Sequence, residues 1–367
     1  MTGTRWTLAI AAILIAGAVV GFGWHYSNMI LGPDRPSTLH EQQVLAIAPG
    51  QIRLSRDHES LEPGRWALEW VGGYGAVGQV LASDSTSVVR EFRPVVGEPP
   101  AGGWASLRGV SRSADPHSML GLAFETVAVE GPLGRYPAWF VPGRDSIWVI
   151  YVHGRGANRT EGLRTLGVLA ARGVPGLMIT YRNDAGAPAS ADGHYHLGLT
   201  EWRDLEAATR YALGHGARGV VLAGYSMGGQ IVLQFMHRSP LASSVRAIVL
   251  ESPVLDWNAT LALRARVLHV PAAMTWIGKR TAALRAGIDW KELDQVPGAA
   301  TLSSPILLFH NLQDRFAPER VSEAFARQSP GQTTLVRVAR GNHVDAWNAD
   351  SSAYATTLNR WLTARGL

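Results

Sequence analysis

The sequence predicts an α/β protein with a mostly parallel central sheet that helices cover on both faces. Three observations favour this fold class. From residue 124 onward, short apolar runs alternate with helix-like segments, a pattern typical of parallel sheets. The run Ile147–Val152 is apolar throughout, as expected for a strand buried on both faces. A chain of 367 residues is long enough for one large domain with smaller appendages.

The composition excludes several classes of protein. Apolar residues make up 46% of the chain and charged residues 17%, so the chain is neither disordered nor fibrous. The absence of cysteine excludes disulfides, thiolate nucleophiles and Cys-based metal sites. The net charge of +5 comes from scattered arginines, not from a basic patch, so we predict no nucleic-acid partner.

Residues 1–32 contain a long apolar segment. The run from Leu8 to Phe22 carries no charge, Arg5 precedes it, and Trp24 and Tyr26 follow it. With its flanks this stretch is long enough to cross a bilayer, and aromatic residues favour the membrane interface. We therefore predict a transmembrane signal anchor, with membrane contact through this helix. Arg5 favours a cytoplasmic amino terminus, which places the rest of the chain outside the cytoplasm.

A cleaved signal peptide is the alternative interpretation of the same residues. Ala16-Gly17-Ala18 fits an A-x-A cleavage site. Under this alternative the mature protein is secreted and carries no anchor.

Residues 33–120 are rich in Gly, Pro, Trp and Ser. Strand-like runs occur at Trp66–Trp70 and Ser87–Phe92, and turn signals such as Pro63-Gly64 and Gly72-Gly73 separate them. We predict a small β-rich N-terminal region in which no chemistry stands out.

Residues 121–367 carry the alternation that predicts the α/β domain. The predicted strands are Phe124–Val129, Tyr136–Val141, Ile147–Val152, Gly176–Tyr181, Gly219–Ala223, Arg246–Glu251, Ile306–Phe309 and Thr333–Val338. The predicted helices are Thr160–Ala171, Glu201–Leu213, Ser226–His237, Glu319–Gln328 and Ser351–Ala364. Residues 256–300 interrupt the alternation, and their apolar residues recur at helical spacing. We predict a short helical cap insertion over the sheet.

The strongest chemical signal is Gly224-Tyr225-Ser226-Met227-Gly228, between a predicted strand and a predicted helix. This G-x-S-x-G pattern in a strand–turn–helix context places a serine on a sharp turn above the sheet edge. Gly224 and Gly228 are needed because side chains there would collide with neighbouring backbone. We predict Ser226 as a nucleophile at this nucleophile elbow.

A serine hydroxyl needs a base to remove its proton. His343 follows the strand Thr333–Val338 and precedes the last helix, which places it at the same sheet edge as Ser226. It is the one histidine in such a position, so we predict it as the base.

The base in turn needs a carboxylate that orients it and stabilises the imidazolium. Asp314 follows the strand Ile306–Phe309, and the order Ser, Asp, His is one that recurs in serine hydrolases. Glu251 and Asp256, after the preceding strand, are the alternative acids. Asp345 is expected to be a surface or supporting group.

Two backbone N–H groups are needed to stabilise a developing oxyanion. Met227 N–H follows the nucleophile directly. The second is expected from the loop after Ile147–Val152, where Arg155 N–H is the first choice and Gly156 N–H the alternative. His153 is expected to brace this loop.

Beyond these residues, the chain from about Gly121 to Leu367 resembles the α/β-hydrolase fold serine hydrolases, especially serine aminopeptidase-like and lysophospholipase-like bacterial esterases. The matching positions are His153-Gly154, Ser226 in its elbow, Asp314 and His343. The resemblance implies an eight-stranded, mostly parallel sheet and a Ser–His–Asp triad without cofactor. The N-terminal third has no counterpart in this pattern.

A polar loop from Tyr181 to His196 follows a central strand at the same sheet edge. Asp192, His194 and His196 could bind a metal, and Arg182 could meet a substrate carboxylate or phosphate. We interpret the segment as a polar rim of the active site and predict no metal.

The sequence therefore predicts a serine hydrolase that cleaves carboxylic esters with short to medium acyl chains. Its substrate would be a small-molecule or lipid-like ester. A serine aminopeptidase-like peptidase is the alternative, with Glu251 or Asp256 holding the substrate ammonium. A non-catalytic binding module on a hydrolase scaffold is an alternative of another class.

Overall fold

The structure, a computed structural model, describes residues 2–33 and 41–367. Within the first helix, α1 (Thr2–Leu31), the side chains of residues 2–5, 7–9, 12 and 15 lie outside the described residues. Arg5, on which the predicted orientation depends, is among them.

A closed barrel of six antiparallel strands follows α1. Its strands are β1 (Gln42–Ala48), β2 (Gln51–Ser55), β3 (Trp66–Trp70), β4 (Gly73–Ser83), β5 (Ser87–Val96) and β6 (Trp104–Arg108). Apolar side chains such as Leu54, Leu68 and Phe92 fill its interior. The prediction of a small β-rich N-terminal domain is confirmed.

One charged side chain lies inside this barrel. The guanidinium of Arg90 is fully buried and donates to the carbonyl oxygens of Ser60, Glu62, Gly64 and Gly78. Burial lowers the pKa of Arg90 to about 10, which leaves it charged at neutral pH. The arginine thereby fixes the loop between β2 and β3 from the inside.

The second domain is built on an eight-stranded sheet. Its strands in chain order are β7 (Glu125–Gly131), β8 (Gly134–Val141), β9 (Ile147–Val152), β10 (Gly176–Met178), β11 (Gly219–Tyr225), β12 (Val245–Glu251), β13 (Ile306–Asn311) and β14 (Thr333–Val338). Across the sheet the order is β14-β13-β12-β11-β9-β10-β8-β7. Only β8 runs antiparallel to the other strands, so the predicted mostly parallel sheet is confirmed.

Helices cover both faces of this sheet and form one apolar core on each side. They are α2 (Pro116–Leu120), α3 (Leu163–Ala170), α4 (Trp202–Gly214), α5 (Met227–Arg238), α6 (Trp257–Val267), α7 (Ala272–Ala286), α8 (Glu319–Gln328), α9 (Ala346–Ala349) and α10 (Ser351–Thr363). The side chains of α3 and α10 enter one core, and those of α4, α5 and α8 enter the other. The predicted insertion is present as α6 and α7.

Two elements have different bounds in the structure from those that their apolar pattern predicts. The strand predicted to reach Tyr181 stops at Met178, because the Tyr181 N–H is taken by the Asp184 carboxylate at 2.8 Å. The helix predicted from Thr160 starts with a 3₁₀ turn at Arg159–Gly162, which Asn158 caps.

The C-terminal half of α1 packs against the cap helix α7. Gly23 lies against Thr281, and Gly278 lies against Tyr26, so closely that a methyl group on either glycine would be under 3 Å from its neighbour. Leu31, at the end of α1, is buried in the core of the second domain.

No helix among the described residues is both long and apolar enough to cross a bilayer. The transmembrane segment predicted at residues 1–32 is thus not found there. The described part of α1 instead ends in contact with protein, as its packing on α7 shows.

Candidate active site

Ser226 occupies the turn between β11 and α5. Its backbone angles are φ 50° and ψ −118°, a conformation that a residue with a side chain rarely adopts. A methyl group on Gly228 would lie 2.0 Å from the carbonyl oxygen of Val152, and one on Gly224 would lie 2.8 Å from the carbonyl oxygen of Gly228. The tight turn therefore requires glycine at both positions.

Three side chains from three loops form a hydrogen-bonded chain. His343 Nδ1 is 2.8 Å from Asp314 Oδ2, and His343 Nε2 is 2.8 Å from Ser226 Oγ. A carboxylate only accepts hydrogen bonds, so Nδ1–H donates to Asp314 and Nε2 is free to accept from the serine hydroxyl. This is the arrangement in which an imidazole can remove a proton from Ser226.

The Asp314 side chain is fully enclosed and well supplied with donors. Its Oδ1 accepts from the N–H groups of Phe316 and Ala317 at 2.7 and 2.9 Å. Burial alone would raise the pKa of Asp314, but His343 and His310 beside the carboxylate hold it well below its usual value. The carboxylate is therefore charged at neutral pH.

The other predicted carboxylates do not touch the imidazole. Glu251 is buried and accepts the N–H of Ala346 at 2.9 Å. It lies behind the segment between β14 and α9 that carries His343, which we call the histidine loop. Asp256 caps α6 by accepting the N–H of Asn258. Asp345 accepts the N–H of Asn342 at 2.9 Å, and burial raises the pKa of Asp345 to about 7.

The loop predicted to supply an oxyanion donor lies beside the elbow. A methyl group on Gly154 would be 2.9 Å from Ser226 Cβ, and Gly154 N–H donates to Glu161 at 2.6 Å. The next residue, Arg155, donates from its side chain to the carbonyl oxygens of Met29 and Gly32 in the N-terminal segment. Met227 begins α5, where the first N–H groups have no partner within the helix.

His153 braces the same loop from below. Its ring stacks on Tyr181, with ring centroids 4.4 Å apart. Nε2 is 2.8 Å from the Asp184 carboxylate, and Nδ1 is 2.9 Å from the Gly154 carbonyl oxygen. Both partners only accept hydrogen bonds, so the surroundings of His153 favour a ring with a proton on each nitrogen. Burial lowers its pKa, but Asp184 outweighs burial and raises the pKa above the usual value.

An apolar cavity of about 300 Å³ is linked to the hydrogen-bonded chain through Phe316. The Phe316 ring forms part of its wall and lies 4.6 Å from the His343 ring, measured between centroids. Its apolar lining comes from α1 and α6 and the loops beside them, and includes Met29, Ile30, Trp257, Leu261 and Leu268. Two cationic side chains, Arg155 and Arg264, also reach it, and no carboxylate among the described residues lines it.

The polar loop from Tyr181 to His196 is tied into the protein. Arg182 is buried and forms a two-pronged pair with Asp204, with both N–O distances at 2.8 Å, so it does not face a substrate. His194 contacts Arg285, while His196 pairs with Asp192 at 3.1 Å. No cluster of three metal-binding side chains is present in the part of the chain that the structure describes.

Three residues of the site escape sequence reasoning. His310 donates from Nε2 to the Ala317 carbonyl oxygen at 3.1 Å and lies 3.4 Å from Asp314 Oδ2. Phe316 covers His343, and the buried Arg164 lies beneath both loops. Of these three residues, only His310 has a feature in the sequence that could have pointed to the site, which is its spacing of four residues from Asp314.

Comparisons with known proteins bear on the family and the fold of this chain. The model of the Alpha/beta hydrolase family matches residues 149–358, and that of a Domain of unknown function (DUF8805) matches residues 43–108. A comparison with curated protein sequences found no relative.

Solved esterase structures share the fold. An esterase of Pyrococcus furiosus aligns with 69% of this chain and 96% of its own, at 14% identity and a TM-score of 0.56. Another crystal form of it aligns with 69% and 94%, at 15% identity and a TM-score of 0.57. An esterase from Exiguobacterium antarcticum aligns with 65% and 100%, at 15% identity and a TM-score of 0.50. At these identities the likeness shows the fold alone.

Proposed function

The chain belongs to the alpha/beta hydrolase family, and from this premise we propose that it is a serine esterase for carboxylic esters with short to medium acyl chains. The observation that carries the proposal is the hydrogen-bonded chain from Ser226 through His343 to Asp314, with both links at 2.8 Å. No cofactor has a part in the proposed reaction.

In the proposed reaction Ser226 Oγ attacks the ester carbonyl carbon while His343 Nε2 takes the hydroxyl proton. The N–H groups of Met227 and Arg155 stabilise the oxyanion, with Gly156 as the alternative donor. His343 then gives its proton to the departing alcohol, and an acyl-enzyme remains on Ser226. Water attacks this acyl group, again with His343 as the base, which releases the acid and restores the serine.

The apolar cavity beside His343 supports an acyl site. At about 300 Å³ it lies at the small end of pockets that hold small molecules, which favours short to medium acyl chains. Its apolar lining suits a hydrocarbon chain, whereas Arg155 and Arg264 suit a neutral or anionic substrate.

The aminopeptidase alternative has less support. It needs a carboxylate beside the pocket to hold the substrate ammonium, and the two candidates, Glu251 and Asp256, are engaged elsewhere. Two arginines at the cavity would repel an ammonium group.

Labelling with a fluorophosphonate, together with a panel of p-nitrophenyl esters and aminoacyl anilides, tests the proposal. We expect the wild type to be labelled on Ser226 alone and to hydrolyse esters faster than anilides. The Ser226→Ala variant should fold normally and lose at least ~10³-fold in kcat. Turnover by this variant, labelling at another residue, or a preference for anilides would contradict the assignment. The absence of any labelling would instead favour the non-catalytic module.

We also propose that α1 holds the enzyme at a membrane through its exposed apolar side chains, which does not require a spanning helix, with the catalytic domain outside the cytoplasm. Supporting this, apolar side chains described on α1 stand more than 40% exposed, among them Ile13, Leu14, Val20 and Phe22. Such a patch is unusual on a surface that faces only water. The full-length chain should sediment with membranes and be released by detergent but not by salt. Recovery in the soluble fraction, or a mature N-terminus at Val19, would reject the anchor.

A further inference from the structure

The N-terminal barrel contacts α9, the helix that follows the loop carrying His343, at a buried point. After His343 the chain forms α9, and Asn348 on this helix is fully buried. Its Nδ2 donates to the carbonyl oxygens of Arg65 and Gly109, both at 2.7 Å. The N–H of Arg65 donates to the carbonyl oxygen of Asn348 at 2.9 Å. Three hydrogen bonds thus join the barrel to the segment that carries the base.

The same asparagine connects to both catalytic loops through Arg164. Asn348 Oδ1 accepts from Arg164 Nη1 at 2.9 Å, and the same guanidinium donates to the carbonyl oxygen of Val344, next to the base. Arg164 also pairs with Glu161, whose other oxygen accepts the N–H of Gly154. A single network therefore joins the barrel, the histidine loop and the loop predicted to bind the oxyanion.

The backbone of the barrel lies in close contact with the backbone of α9. Gly64 has φ +100°, and a methyl group on it would lie 1.9 Å from the carbonyl oxygen of Asn348. From inside the barrel, Arg90 Nη2 donates to the Gly64 carbonyl oxygen at 3.2 Å and holds this turn in place. The barrel therefore presents a fixed surface against which α9 rests.

The histidine loop has little regular structure of its own. Between β14 and α9 it contains Gly341 and Val344 with positive φ angles of 84° and 60°. Its position must therefore depend on contacts with its surroundings. A displacement of 1 Å in a catalytic group can cost on the order of 100-fold in rate.

We propose that the barrel is a positioning domain for the base: through Gly64 and Asn348 it holds His343 at hydrogen-bond distance from Ser226. The inference rests on the proposed esterase function and assigns a role to the N-terminal barrel. Gly64 and Asn348 are positioning residues, since neither contacts the reacting atoms.

The test compares two glycine variants of the full-length chain. Gly64→Ala pushes the barrel off α9. Gly72→Ala is its matched control, because Gly72 also lies in a barrel turn, at φ +90°, but a methyl group there has nothing within 4 Å. Both variants carry similar backbone strain, and Gly64→Ala also disturbs the contact with α9, so we expect it to lose more stability than Gly72→Ala. Only Gly64→Ala should lose kcat, by roughly 10- to 100-fold, with KM within about threefold of wild type.

A graded series at Asn348 tests the same contact from the other side. Asn348→Ala removes every side-chain hydrogen bond, whereas Asn348→Ser keeps one hydroxyl that can donate to a barrel carbonyl. We expect kcat to fall in the order wild type, serine, alanine, and the rate of fluorophosphonate labelling to fall in parallel. The assays are run well below the thermal unfolding midpoint of each variant, so that loss of folded protein does not lower the measured kcat.

The outcomes separate this inference from the proposed function. A wild type that neither hydrolyses esters nor reacts with the fluorophosphonate would overturn both. An active wild type whose Gly64→Ala and Asn348 variants keep kcat within twofold of Gly72→Ala would overturn the positioning role alone. If Asn348→Ala does not fold, the two glycine variants still decide the question.

Discussion

Replacement of Asp314 by asparagine isolates the role of the acid, because the site dictates how the new amide must lie. Asp314 Oδ1 accepts two backbone N–H groups, from Phe316 at 2.7 Å and Ala317 at 2.9 Å. An asparagine keeps both bonds only if its carbonyl oxygen takes this place. Its NH₂ group then replaces Oδ2, which lies 2.8 Å from His343 Nδ1.

That orientation reverses the tautomer of the histidine. His343 Nδ1 must accept from the amide, so the ring proton moves to Nε2 and points at Ser226 Oγ. The imidazole can then no longer take the serine proton. Turning the amide over would leave two buried N–H groups without acceptors, at ~1–3 kcal/mol each. We therefore expect kcat to fall by ~10⁴-fold, equivalent to about 5.5 kcal/mol in activation free energy.

The assay is steady-state hydrolysis of a p-nitrophenyl ester, with circular dichroism to verify the fold. Glu251→Gln is the matched control, since Glu251 is also a buried carboxylate and a glutamine can still accept the Ala346 N–H. We expect this control to lose less than tenfold. A loss below tenfold for Asp314→Asn, with Glu251→Gln inactive, would refute the assignment and place the acid after β12.

Three further predictions concern the pocket, the first helix and buried charge. Leu261→Ala should enlarge the proposed acyl cavity and lengthen the best substrate by about two methylenes, each worth ~0.8 kcal/mol. The measurement is kcat/KM for esters from C2 to C16. The control Leu284→Ala changes an exposed residue and should leave this profile unchanged. Leu31→Ala should cost ~2–5 kcal/mol in urea unfolding, and Val20→Ala under about 0.5 kcal/mol; equal losses would show that α1 is not part of the folded core. Burial raises the pKa of Asp345 to about 7, well above the ordinary value of about 3.9 for an aspartate. The wild type should therefore lose up to about 4 kcal/mol of stability as pH rises from 4 to 8, a slope that Asp345→Asn should reduce. An identical pH dependence in both proteins would contradict this last prediction.

The parts of the fold that follow from local constraints could be predicted from sequence. The strands Ile147–Val152 and Thr333–Val338 and the helix Glu319–Gln328 have the predicted bounds, because the local apolar pattern defines them. The turn at Ser226 is equally local, since glycines at two fixed offsets are what its backbone geometry requires.

The surroundings of the first helix could not be predicted in the same way. Apolarity indicates that the segment Leu8–Phe22 avoids water but does not indicate what covers it. The C-terminal half of α1 packs on α7 through Gly23 and Gly278, and its end contributes Met29 to the cavity wall. These contacts join residues more than 200 positions apart, and hydropathy carries no information about them.

The buried ionic groups beneath the loops of Ser226 and His343 support the proposal that the functional unit is larger than the α/β domain. Arg164 is buried, and an uncompensated buried charge is costly, so its acceptors must be present in the folded protein. One of these acceptors is Asn348, whose own amide is satisfied by the carbonyl oxygens of Arg65 and Gly109 at the barrel side. Removing the barrel would leave that amide without acceptors and free the helix that follows His343. The boundary predicted at residue 121 separates two patterns of secondary structure, but the hydrogen bonds that we propose to position His343 cross it.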